Sequence, residues 1–470
     1  MTVTAPDTPI DTSIPLADLD FNRRGNEDRP QRPIPPGRDI FAPRWRRSQE
    51  FLFGPWIDID AELGPNDLTR ARDDYFWQAD EHMIGIVDMF ERIGARTARP
   101  MFEQALTQGI DTVDDPPQEL VELFEHLDHI PDWFDREAAE RGRLLVASAT
   151  LTATAVTAGW AYFETAMTGD ISAATGATGR FKNDGVRRNI ETLRMFALMT
   201  TPEVMQRDSE AFHTVIRVRL MHALVSRGLK RKWGEETYRT YGEPIAASSL
   251  LGFGNGPVLI RLVDHQLGRR LSRRQLDDIA MYSAYTSWAL GAPERLRCKD
   301  GLELVKSLNY IFARGGEPSK WRAEVVDTFA DYQHEVMKLR LRNRPQFIQD
   351  RADVLSRATT AGFYFTPLAM VFGPSQVDDF VEGSVFESLG LNYKLLGLGY
   401  EGMARVAARG AAVRDLVPGI DLLRKRLFRE GPIGVKALIS QLEHVAEKYH
   451  NVSLDYTHHD ESTSGKGFTG

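Results

Sequence analysis

Two stretches set reactive side chains into otherwise apolar helical stripes. The first reads GVRRNIETLRMFALM, in which Arg188, Glu191, Thr192, Met195 and Met199 fall at i, i+3, i+4, i+7 and i+11 and so share one helix face. A guanidinium, a carboxylate and a hydroxyl on an apolar stripe make a polar site within a core. Arg188 and Glu191 also read as a simple intrahelical ion pair. The second stretch reads EVMQRDSEAFHTVIRVRLMHALVSRG, where Val215, Val218, His222 and Val225 recur at spacings of 3, 4 and 3. His222 therefore points to the buried face. His213, nine residues earlier, is turned about 900° around the helix and faces the other way. A histidine among Val, Met and Leu is the kind of residue that ligates a haem iron from one side. It is equally the pattern of a satisfied core histidine.

Other clusters carry less chemistry. His126 and His129, three apart, suit one metal-binding helix face, but HLDHIPDWF offers no clear acidic third ligand, so a surface helix end is expected. Gly252, Gly254 and Gly256 have no strand before them, which argues against a nucleotide loop. Arg269, Arg270, Arg273 and Arg274 flank Ser272, an expected helix N-cap, and read as a solvated turn. Arg227, Lys230, Arg231 and Lys232 read as cations closing a helix. Cys298 has no evident histidine partner and is expected to be structural.

The elements that must position these residues are helical throughout. Spacing predicts helices over about 67–93, 117–127, 135–167, 186–200, 203–227, 257–268, 272–290, 320–341, 346–362, 375–390, 398–428 and 432–450. Alternating strand patterns are absent, so the fold class is all-α. Leu144–Phe163 is uncharged and long enough to cross a bilayer, yet six of its residues are Ala and four are Thr. It is expected to be a central helix buried in protein, with no integral membrane span. Residues 1–43 form a proline- and charge-rich arm, and 44–119 an N-terminal helical region. Residues 120–365 form the main domain, 366–452 a C-terminal helical extension, and 453–470 a polar tail.

The chain has 470 residues, with 58 Lys and Arg against 66 Asp and Glu, for a formal charge of −8. This balance speaks against a nucleic-acid binder. One cysteine excludes an internal disulfide and multi-cysteine metal sites. Arg23-Arg24 is followed by no apolar stretch, so no export signal is expected and a cytoplasmic location is.

RRNIET (Arg187–Thr192) and VRLMHALV (Val218–Val225) together resemble the oxygenase catalytic domain shared by latex-clearing rubber oxygenases and mpaB-type oxygenases. The pattern is R-x-x-x-T on one helix, then R-x-x-H-A about thirty residues on, here Arg188, Thr192, Arg219, His222 and Ala223. Thr178-Gly179-Arg180, YGEPIAASSLLGFG (Tyr241–Gly254) and SWALGAPERL (Ser287–Leu296) fit in order, so the likeness covers roughly 120–365. The resemblance implies a multi-helix, globin-like core with additional helices and one b-type haem. His222 would be the axial iron ligand. Arg188 and Arg219 would contact the cofactor, and Arg188 and Thr192 would be the polar residues of the distal side. Where rubber oxygenases carry a lysine on that face, this chain has Glu191. Glu164 is the nearest match to the family's catalytic base, at longer spacing. The implied activity is a haem b-dependent oxygenase using dioxygen on an unsaturated, hydrophobic, isoprenoid- or lipid-like substrate. The alternatives are a non-catalytic helical binding protein and a haem peroxidase-like or gas-sensing protein.

Overall fold

The computed structural model describes residues 43–54, 57–177, 185–314 and 318–419. The expected N-terminal arm, the helix over 432–450, the C-terminal tail and Thr178-Gly179-Arg180 lie outside the described residues. So does the side chain of Arg188.

Among the described residues twenty α-helices follow in order. The N-terminal part holds α1 (Pro43–Phe53), α2 (Ile59–Glu62), α3 (Asp67–Asp74), α4 (Glu81–Ile93), α5 (Ala95–Gln108) and α6 (Gln118–Asp128). The middle holds α7 (Arg136–Ala147), α8 (Leu151–Met167), α9 (Gly169–Ala177), α10 (Gly185–Met199), α11 (Glu210–Tyr241), α12 (Leu251–Gln266), α13 (Arg273–Ala289) and α14 (Gly301–Arg314). Then come α15 (Arg322–Leu341), α16 (Gln346–Gln349), α17 (Ala352–Thr360), α18 (Thr366–Phe372), α19 (Pro374–Val381) and α20 (Tyr393–Arg414). Among the described residues there is no strand, and the fold is all-α.

Two helices form the centre. α8 packs against α12, α15 and α18, burying Trp160 and Phe163; Phe163 stacks on Phe372 with ring centroids 5.9 Å apart. α13 is buried on nearly every side. It crosses α7 where Gly142 has no side chain: a Cβ there would collide with the backbone of Asp278. It also crosses α12 where a Cβ on Gly254 would strike the Ser287 hydroxyl. Gly252, Gly254 and Gly256 therefore lie in a helix, and Gly254 serves its packing.

Several sequence expectations need correction. The single helix over 135–167 is two, α7 and α8, bent by 96°. The bend is built by polar groups that periodicity does not reveal. Thr150 caps α8, and its hydroxyl donates to Asp264 at 2.5 Å. Arg269 donates to Asp264 and to the Ser148 carbonyl, at 2.8 and 2.7 Å, and to Asp415 at 2.7 Å. Arg269 is thus a buried structural pin, while Arg273 and Arg274 are exposed and Ser272 caps α13. No single helix among the described residues is long and apolar enough to cross a membrane.

The helix over 67–93 is likewise interrupted between α3 and α4, where Asp80 becomes an N-cap. α11 does not end near 227 but runs to Tyr241, broken at Gly234, whose φ is +66°. Its basic residues are ion-paired: Arg227 to Asp88 and Glu91, Lys230 to Glu243 and Arg231 to Glu91. The boundary expected at 365 falls inside a continuous helical run, α17 through a π-turn (Ala361–Phe365) into α18. The main hydrophobic core extends without a break from Trp45 to Ala408.

Candidate active site

α11 positions the key histidine. Ser209 caps the helix by accepting from the Phe212 amide at 3.0 Å. Val215 and Val218 are buried below His222, as the spacing predicts. The opposite face is buried too: Phe212, His213 and Ile216 are all covered. His213 is therefore a second buried histidine on this helix. Burial, with Arg217 and Arg207 nearby, lowers its pKa. His222 is half-buried, with Nδ1 shielded from solvent.

His222 opens on a cleft of about 10 Å³, lined also by Asp80, Arg219, Ser226, Leu250 and Leu290. That is room for roughly one water molecule. Arg219 is 1% exposed and forms a buried bidentate ion pair with Asp80, Nε to Oδ2 and Nη2 to Oδ1. Asp80 also accepts from the Met83 amide at 3.2 Å, so one carboxylate caps α4 and anchors α11. Gly291, at φ +92°, makes the pair possible: a Cβ there would collide with both Asp80 and Arg219. Arg219 retains a buried Nη1 with no hydrogen-bond partner among the described residues.

Three sequence segments of the resemblance thus converge. Arg219 and His222 come from α11, Ile245 and Leu250 from the 241–254 segment, and Leu290 and Gly291 from the 287–296 segment. Asp80, which sequence reasoning missed, arrives from the N-terminal region. Its sequence signal was that of a helix N-cap, an acid just before an apolar-periodic run; its arginine partner is 139 residues away.

Beside the ion pair, His82 and His126 stack with centroids 4.1 Å apart and an interplanar angle of 21°. Trp288 lies 5.6 Å from His126. His126 is therefore packed between elements and is not a surface helix end, whereas His129 is exposed. Burial first, then His82 and Arg219, depress His126 to about 4. No group of three or more potential metal ligands occurs among the described residues.

The other predicted residues sit elsewhere. Glu191 and Thr192 are half-buried on α10. That helix docks on α8 and α15 through Asn189, which accepts from Tyr162 Oη at 2.9 Å and donates to the Thr328 carbonyl at 3.3 Å. α10 also packs on α11, with Arg194 4.0 Å from Glu210. Glu164 is near the end of α8, nearly half a turn from Tyr162. No hydrogen bond reaches its carboxyl among the described residues, and it does not line the His222 cleft. Desolvation, with Asp170 adding, raises it to about 8. Cys298 is buried, with Arg72 Nη2 4.0 Å from its sulfur, and burial pushes its thiol up.

The donor set fits a haem by its chemistry. One imidazole stands on an apolar helix flank, and an arginine with an open, buried N–H stands one turn away, suited to an anionic group. The cleft as packed does not itself hold a porphyrin.

Residues 147–377 match the family model described as ER-bound oxygenase mpaB/B′/rubber oxygenase, catalytic domain. A solved structure of latex clearing protein LCP in the closed state is similar over 72% of this chain and 91% of that chain, with 15% identity and a TM-score of 0.49. No curated protein matches the chain in sequence. Over residues 147–377, the chain carries a catalytic domain of the mpaB and rubber oxygenase family.

Proposed function

We propose that the protein is a haem b-dependent oxygenase that acts with dioxygen on an unsaturated, hydrophobic substrate of isoprenoid or lipid type. The observation that carries this reading is the convergence of His222, Arg219 and the two downstream segments on one cleft, three parts of a matched oxygenase domain. When bound, haem supplies the oxygen chemistry, and the protein supplies ligation, polarity and shielding.

His222 would hold the iron, and Arg219, fixed by Asp80, would offer its remaining N–H to an anionic group of the cofactor. Thr192 and Arg188 would supply hydrogen-bond donors from α10, and Glu191 a carboxylate on the same helix. Glu164 holds a proton at neutral pH and accepts one from substrate only as its carboxyl ionises, near pH 8. Like Glu191 and Thr192, it lies off the His222 cleft.

The test is an absorption spectrum of protein expressed with adequate haem. A Soret band with acid-extractable haem is expected, because no C-x-x-C-H attachment motif exists. His222→Ala removes the band, while His213→Ala keeps it. A colourless protein that also refuses added haemin ends this reading and leaves a binding role for the fold. Turnover with peroxide but not with dioxygen assigns it to peroxidase chemistry.

A further inference from the structure

α20 is fixed to the body of the protein on one face only. Tyr393, Gly397, Ala404 and Ala408 are buried, and the helix packs on α18 and α19. Tyr400 Oη is 3.2 Å from Thr152 Oγ1, and Asp415, just past the helix end, holds Arg269 at 2.7 Å. Its other face is open and largely apolar, with the exposed Arg409 toward one edge. Leu395, Leu398, Met403, Val406, Val413 and Leu416 are 58–81% exposed, a run matched nowhere else among the described residues.

Three exposed glycines, Gly399, Gly402 and Gly410, share this face, and a Cβ on any of them would meet nothing within 4 Å. Glycine inside a helix costs stability relative to alanine, and the protein's own packing gives no reason for these three. A second helix approaching closely does. Leu395, Gly399, Gly402, Val406, Gly410 and Val413 are spaced 4, 3, 4, 4 and 3, which keeps the stripe on one side of the helix.

We propose that this face of α20 is the contact between two copies of the chain, paired antiparallel about a two-fold axis at Val406. The register is self-complementary. Val413 of one copy meets Gly399 of the other, large against small, and Gly402 meets Gly410, where the two backbones come closest. No basic residue of the helix falls opposite another, and the two helix dipoles oppose. With each large apolar side chain carrying on the order of 100 Å², the open face offers roughly 500 Å² per copy. That is the apolar share expected of the ~800 Å² each partner commits to a stable interface. A two-fold, isologous pairing is the commonest symmetry of homo-oligomers.

Sedimentation equilibrium of the full-length chain, from about 1 to 100 µM, tests this. A dimer is expected, shifted to monomer by Val406→Glu, with the Phe347→Glu variant, at an exposed phenylalanine off the stripe, remaining dimeric. Circular dichroism checks that each variant folds. A wild-type monomer across the range overturns the proposal and means that the face is covered from within its own chain or by another partner. A dimer that survives both Val406→Glu and Gly402→Leu overturns it as well.

Discussion

Asp264 and Asp80 are both buried carboxylates holding arginines, in surroundings of opposite kinds. Asp264 is fully buried and takes Arg261, Arg269 and both donors of Thr150. The Thr150 and Arg269 contacts serve the α7–α8 bend, and the Arg261 contact lies within α12. Asp80 holds one arginine, and that arginine lines a cleft with a histidine and keeps an open N–H. A buried ion pair alone is thus no mark of function. What distinguishes the second is the cleft, and the group able to ligate that stands in it beside the arginine.

The sharpest test substitutes both. Asp264→Asn strands two buried guanidinium groups and should cost about 3–5 kcal/mol of unfolding free energy in urea titration. The folded fraction should keep an unchanged absorption spectrum. Asp80→Asn should cost less, about 1–3 kcal/mol, because the cleft admits water to Arg219. It should nevertheless weaken pigment retention. Equal stability losses with equal spectra would erase the distinction.

Glu164 is a third kind of carboxyl, half-buried and with no cation paired to it among the described residues. Its folded pKa of about 8 lies above its ordinary 4.5. The native state therefore binds the extra proton, and stability contributed by the protonated form is lost as pH rises from 4.5 through 8. Glu164→Gln should remove that decline and leave the variant more stable than wild type at pH 9. If Glu164 accepts the substrate proton, wild-type turnover should rise with a midpoint near pH 8, and the variant should lose it. Turnover unaffected by Glu164→Gln would make this carboxyl a packing feature.

The smallest effect is on the acid side. His265 donates from Nε2 to the Ser48 carbonyl and accepts the Leu271 amide at Nδ1, which fixes it neutral. Desolvation, aided by Arg270, depresses it to about 4, close to His126. The unfolded chain binds these protons first, so stability should fall as pH drops from 6.5 toward 4. His126→Gln should flatten part of that slope without touching the Asp264 bend. A slope identical to wild type would mean that the His82–His126 stack carries no such penalty.

The sequence by itself determined the all-α class, the helix that carries His222, the Ser272 cap and the order of the segments that converge on the cleft. These follow from local rules: 3.6-residue periodicity, side-chain capping and short fixed spacings. It could not place His126, Arg269 or Asp80, which read as a surface end, a solvated turn and a position inside one long helix. Their burial depends on partners brought from 139 to 162 residues away. Nor could periodicity reveal the break between α7 and α8, since the apolar spacing runs on through it while Asp264 and Arg269 satisfy the freed polar groups. Helix existence is decided by neighbours in the chain; which polar group is buried, and whether it is left with capacity to bind, is decided only when distant helices meet.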